Sequence, residues 1–121
     1  MANTILTFHA DALEHTLPEI CRFLEEHMVR YSAEPVARRA AEFMDGCVVE
    51  LIFEKFFLRT GSYAGLTIFL SENDSGLDAQ IAGFSGGSGL LNCSLWANDD
   101  LAEEAAAVLE KAGFIRENAE S

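Results

Sequence analysis

Residues 47–70, CVVELIFEKFFLRTGSYAGLTIFL, form the densest run of β-branched and aromatic residues in the chain, and Thr60-Gly61 divides the run in two. The pattern is that of a β-hairpin. With Thr60-Gly61 as a two-residue loop, Arg59 faces Ser62, Phe57 faces Ala64, Lys55 faces Leu66, Phe53 faces Ile68 and Leu51 faces Leu70. That face is nearly all apolar. The opposite face carries Val48, Glu50, Ile52, Glu54, Phe56 and Leu58 against Tyr63, Gly65, Thr67 and Phe69, so carboxylates stand among aromatic rings. Neither face reads as a plain solvent surface.

The segments before the hairpin switch period twice. Asn3 to His9 alternates, with Leu6 and Phe8 on one side and Thr7 and His9 on the other, as a short strand does. Leu13, Leu17, Ile20, Leu24 and Met28 then recur at helical spacing, opposite Glu14, Glu19, Arg22, Glu25 and Glu26. Asp11-x-x-Glu14 and Thr16-x-x-Glu19 both match a capping box; Pro18 suits only a first turn, so Thr16 is the better start of the main helix. Tyr31 to Pro35 reads as a connector. Val36 to Met44 has alanines and arginines that favour a helix, but Asp45-Gly46 ahead of Cys47 is a hairpin signal, and we read a strand.

Beyond the hairpin, Ser71 to Leu77 reads as a loop, Asp78 to Phe84 as a strand, Ser85-Gly86-Gly87-Ser88-Gly89 as a turn, and Leu90 to Ala97 as another strand. A final helix is expected to start at Asn98 or Asp99, to present Leu101, Ala105, Val108, Leu109 and Ala112 on one face, and to end at Gly113. The expected fold is a single α+β domain over residues 1–115, a two-layer β-α-β-β-β-β-α sandwich with both helices on one face of an antiparallel sheet, followed by a polar tail over residues 116–121. The same element order occurs in the repeat of TATA-box-binding proteins, an analogy of architecture alone.

Composition excludes several roles. Eight Lys and Arg against twenty Asp and Glu leave a formal net charge of −12, which repels phosphate backbones and anionic membrane surfaces, so neither nucleic acid nor membrane is expected as a partner. No run approaches the length of a spanning helix, and the N-terminus lacks a basic segment followed by an apolar core, so a soluble, cytoplasmic protein is expected. Cys21, Cys47 and Cys93 are odd in number and widely spaced, and are read as free thiols. The histidines show no metal-ligand spacing; no metal or cofactor is expected.

Phe53-Glu54-Lys55-Phe56-Phe57-Leu58-Arg59-Thr60-Gly61-Ser62, then Leu66-Thr67 and Gly86-Gly87-x-Gly89, resembles a small family of uncharacterised bacterial proteins, a domain of unknown function whose members carry tyrosines where Phe53, Phe56 and Phe57 stand here. The resemblance spans roughly residues 47 to 97. It implies a cytoplasmic bacterial protein and supplies no catalytic residues.

Four features remain as candidates. Gly83-Phe84-Ser85-Gly86-Gly87 matches G-x-S-x-G, but a strand where the helix should follow makes it a turn, not a nucleophile elbow. The glycines of Ser85 to Gly89 could instead line up backbone N–H groups for an anion, although no Lys-Ser/Thr follows as in a P-loop. Lys55 falls between Phe53 and Phe57, where an unpaired amine is costly to bury. It can snorkel, pair with a helix carboxylate, belong to a hairpin with a bulge, or be functional. Two helices cover one sheet face, which leaves Ile52, Phe56, Tyr63 and Phe69 on the other, with Phe84 and Trp96 as further candidates. The expected function is a non-enzymatic module that self-associates or binds a protein partner through Glu50, Glu54, Phe56, Tyr63 and Phe69. The alternative is a small-molecule site or weak enzyme at Glu54, Lys55, Gly86 and Gly87.

Overall fold

The computed structural model describes residues 4–11, 15–58, 61–85 and 93–117. The elements in order are β1 (Thr4–Ala10), α1 (Leu17–Arg30), β2 (Glu34–Phe43), β3 (Gly46–Phe57), β4 (Ser62–Asn73), β5 (Gly76–Ser85), α2 (Cys93–Ala112) and β6 (Ile115–Arg116). The strands form one antiparallel sheet in the order β2-β3-β4-β5-β1-β6. This is an α+β sandwich, with β2 to β5 a continuous meander and β1 added beside β5.

Helix α1 begins where the second capping pattern places it. Thr16 Oγ1 accepts from the Glu19 amide at 3.3 Å, and the Thr16 amide donates to Glu19 Oε1 at 2.9 Å, with Pro18 in the first turn. The Asp11-x-x-Glu14 alternative involves residues 12–14, outside the described residues. β2 is a strand, as the following turn required, and it starts earlier than Val36. The turn itself is Met44-Asp45; Gly46 is the first residue of β3, packed so closely on Glu72 that a Cβ there would overlap the Glu72 carbonyl oxygen.

The central hairpin forms with a longer loop than Thr60-Gly61. Residues 58–61 connect the strands, and the Gly61 amide donates to the Phe57 carbonyl at 2.8 Å. The register moves by two residues: Phe57 faces Ser62, Lys55 faces Ala64, Phe53 faces Leu66 and Leu51 faces Ile68. Because side chains alternate with period two, this shift changes every cross-strand partner and leaves every side chain on the face expected of it.

Three further segments differ from the sequence reading. Ser71 to Leu77 is not a loop: β4 runs to Asn73, β5 starts at Gly76, and only Asp74-Ser75 turns. Asn73 Oδ1 accepts from the Ser75 amide at 2.9 Å and from its hydroxyl at 2.7 Å, so polar residues that suggested a loop build a tight turn. Cys93 to Ala97, read as strand, is the start of α2, which places Asn98 and Asp99 inside the helix and not at its cap. A short apolar run reads alike in either state until its length is known. Residues 90–92 lie outside the described residues. Finally, Arg116 is not part of a free tail: Ile115–Arg116 pairs with Phe8 and His9 of β1. Gly113, at φ +113°, ends α2 as its position suggested.

The core lies between the sheet and the helices. Phe8, Leu51, Phe53, Leu66, Ile68, Leu70 and Ile81 meet Ile20, Leu24 and Met28 of α1 and Leu101, Ala105 and Leu109 of α2, all essentially without solvent contact. Cys21 is a buried free thiol whose pKa burial raises, and Cys47 is a half-buried one. Among the described residues, no helix is long and apolar enough to cross a membrane.

Candidate functional site

The candidate site is the sheet face turned away from both helices. Register sets its rows: Ala37, Ile52, Thr67, Ala82 and Ile5 lie across the sheet in one, and Arg39, Glu50, Phe69, Gln80 and Thr7 in the next. At one end Phe56 lies beside Tyr63, their ring centroids 5.0 Å apart and edge to face. Phe56, Tyr63 and Phe69 are 44%, 55% and 40% exposed, against 1% or less for Phe53, Leu66 and Ile68 on the helix side of the same two strands. The apolar surplus anticipated from the alternation therefore stands open. The side chains of Phe84 and Trp96, considered as further members, lie outside the described residues.

The two carboxylates differ in their surroundings. Glu50 sits half-buried between Arg39 and Phe69 in its row. Glu54 is exposed opposite Glu34 and Gly65, and has no cationic partner among the described residues. Like charges facing across a strand pair repel, so this end of the face favours an incoming positive group.

Lys55 is next to Glu54 in the chain and on the opposite side of the sheet. Its Nζ donates to both carboxylate oxygens of Glu104 on α2, at 3.0 Å each, and lies 4.9 Å from the centroid of the Phe57 ring. Of the readings left open by the sequence, the pair with a helix carboxylate is the one that forms. Burial pushes the Glu104 carboxyl above its ordinary range, while the hydrogen bond and charge of Lys55 pull it back down. The structure does not bring Glu54 and Lys55 into one site. Ser85, read as the first residue of the glycine turn, is the last residue of β5 and lies opposite Ala64; Gly86, Gly87, Ser88 and Gly89 lie outside the described residues.

One polar constellation has no counterpart in the sequence reading. His9 of β1 lies opposite Asp78 of β5; its Nδ1 is 2.7 Å from Asp78 Oδ1 and its Nε2 is 3.0 Å from Asp11 Oδ1. Hydrogen bonding to Asp78 first, and to Asp11 second, raises the imidazole pKa above its ordinary 6.5. Nothing in the spacing of residues 9 and 78 announces the pair; only the β1/β5 register makes it. Close by, a depression of about 260 Å³ is lined by Thr7, Val48, Phe69, Ser71, Asp78 and Gln80 among others. A separate groove of about 290 Å³ runs between α1 and the end of α2, bounded by His15, Arg22, Phe23, Glu26 and Lys111.

No curated protein matches the chain. Residues 1–113 match the family described as "Family of unknown function (DUF6054)", well beyond the middle of the chain that carried the resemblance. The chain belongs to that family.

Proposed function

We propose that this protein is a non-catalytic association module that docks a protein surface, a second copy or a different chain, on the open face of its sheet. The observation that carries the reading is the exposure of Phe56, Tyr63 and Phe69 on a face neither helix covers, while Phe53, Leu66 and Ile68 on the helix side of the same strands are buried. Exposed rings of this size are an expense in water that a partner's surface relieves. Glu50 and Glu54 set the preference: a partner with a basic group opposite Glu54 gains where one with a carboxylate is repelled.

Size-exclusion chromatography with light scattering tests the self-associating form. The expected result is a mass above the 13.2 kDa of one chain that falls on dilution and is lower in Phe56→Ser/Phe69→Ser than in the wild type. A strict monomer at high micromolar concentration removes that form.

The depression beside Phe69 supports a small-ligand reading on the same face. Its volume of about 260 Å³ is below the range of most ligand pockets, roughly 300–1,000 Å³. A thermal-shift screen tests it, and a blank screen retires it.

A further inference from the structure

The two edges of the sheet are built differently. β6, at one edge, is two residues long, and Arg116 there is tied to α2 by hydrogen bonds to Glu103 at 2.9 and 3.3 Å. Such an edge offers little to another strand. β2, at the other edge, is ten residues long and exposed along its whole length. Among the described residues no strand pairs with its outer side.

Backbone geometry decides which groups that edge presents. Met44-Asp45 is a two-residue turn, which makes Phe43 and Gly46 its hydrogen-bonded closing pair. Alternation along an antiparallel ladder then turns the N–H and C=O groups of Phe43, Ala41, Arg39 and Ala37 toward β3, and those of Glu42, Ala40 and Arg38 away from it. The outward-bonding residues are therefore Arg38, Ala40 and Glu42, whose side chains share the helix side with Leu51, Val49 and Cys47.

We propose that β2 pairs antiparallel with β2 of a second copy of this chain, with Ala40 opposite Ala40 on the two-fold axis. Arg38 Nη2 lies 3.5 Å from Glu25 Oε1 of its own α1, and in that register Arg38 of each copy also faces Glu42 of the other, giving two symmetric charge clusters, while Ala37 faces the exposed Phe43. Sliding one strand by two residues loses both Arg38–Glu42 pairs: one way sets Arg39 against Arg39, the other sets Arg39 against Phe43 and Arg38 against Met44. Sliding it by four sets Arg38 against Arg38 and Glu34 against Glu42, or Glu42 against Glu42. Of these registers only the one centred on Ala40 places Arg38 opposite Glu42. Pro35, which has no N–H to donate, stands beyond the paired segment. The product is a sheet of twice the width whose two open faces become one surface. The pairing uses the edge and not the rings, so it holds or fails independently of the docking proposed for the open face.

Ala40→Pro removes an outward N–H and none of those turned toward β3, and proline is tolerated on an edge strand. With the open face disabled by Phe56→Ser/Phe69→Ser, light scattering is expected to give twice the chain mass, and adding Ala40→Pro to that variant is expected to give the mass of a single chain. Arg38→Glu and Glu42→Arg are each expected to weaken dimerisation at least tenfold, and Arg38→Glu/Glu42→Arg to restore it. The double variant answers the question even if Ala40→Pro fails to fold. A monomeric wild type at high micromolar concentration, a dimer indifferent to all the edge variants, or a dimer abolished only by the ring variant would each overturn the pairing.

Discussion

At the scale of single residues, Lys55 and His9 illustrate how the same fold treats buried and exposed charge. Lys55 is 15% exposed and Glu104 23%, so the pair is largely out of water and both hydrogen bonds run to one carboxylate. Removing one member strands the other. Lys55→Met is expected to lower stability by about 1–3 kcal/mol, less than for a fully buried pair, and Glu104→Gln in that background to recover part of the loss, as read by urea unfolding. For His9, the folded-state pKa lies above the ordinary 6.5 because Asp78 and Asp11 favour the imidazolium. The folded protein therefore binds the proton more tightly than the unfolded chain does. The stabilisation is fully present below about pH 6.5 and is lost as pH rises through the folded value. Titration of the imidazole by NMR is expected to give a midpoint above 6.5, which Asp78→Asn lowers. A midpoint at or below 6.5 would contradict the clamp.

At the scale of elements, two local devices fix boundaries. The reciprocal hydrogen bonds of Thr16 and Glu19 satisfy amides that the first turn of α1 leaves open. Thr16→Ala is expected to cost about 1 kcal/mol in chemical denaturation, with the loss of helical signal confined to the shift in midpoint. Gly46 opens β3 against the backbone of β4, and any side chain there meets the Glu72 carbonyl. Gly46→Ala is expected to destabilise by about 1–3 kcal/mol, because the obstacle is main chain and cannot swing aside. An unchanged midpoint for that variant would mean that β4 can move away from Gly46 at Glu72 without cost.

For the whole molecule, the division between the helix-covered and the open side of β3 and β4 makes a contrast within one hairpin. Phe53 and Phe69 are both ring residues on paired strands, one 1% and the other 40% exposed. Phe53→Ala is expected to lose about 3–5 kcal/mol, and Phe69→Ser about 1 kcal/mol or less, in the same denaturant titration. Equal losses would mean that the open face carries folding energy and has little to spare for a partner. The difference matters for function because residues that can be changed without unfolding the chain are the ones available for recognition.

The sequence by itself determined the element types of the first half, the start of α1, the single-layer hairpin and the face on which each of its residues lies. These follow from period, capping chemistry and alternation, all of which act between near neighbours and are written in the order of residues. It also placed Phe56, Tyr63 and Phe69 together on the side away from the apolar core. The tertiary structure alone decided the rest: the four-residue loop and the two-residue shift of register, the helical state of Cys93 to Ala97, the strand at Ile115–Arg116, the Lys55–Glu104 pair and the His9–Asp78 pair. Each of these depends on which distant segment comes alongside. Positions 9 and 78, or 55 and 104, share no spacing rule; they meet because β1 enters the sheet next to β5 and α2 crosses the sheet above β4 and β5, from where Glu104 reaches Lys55 of β3.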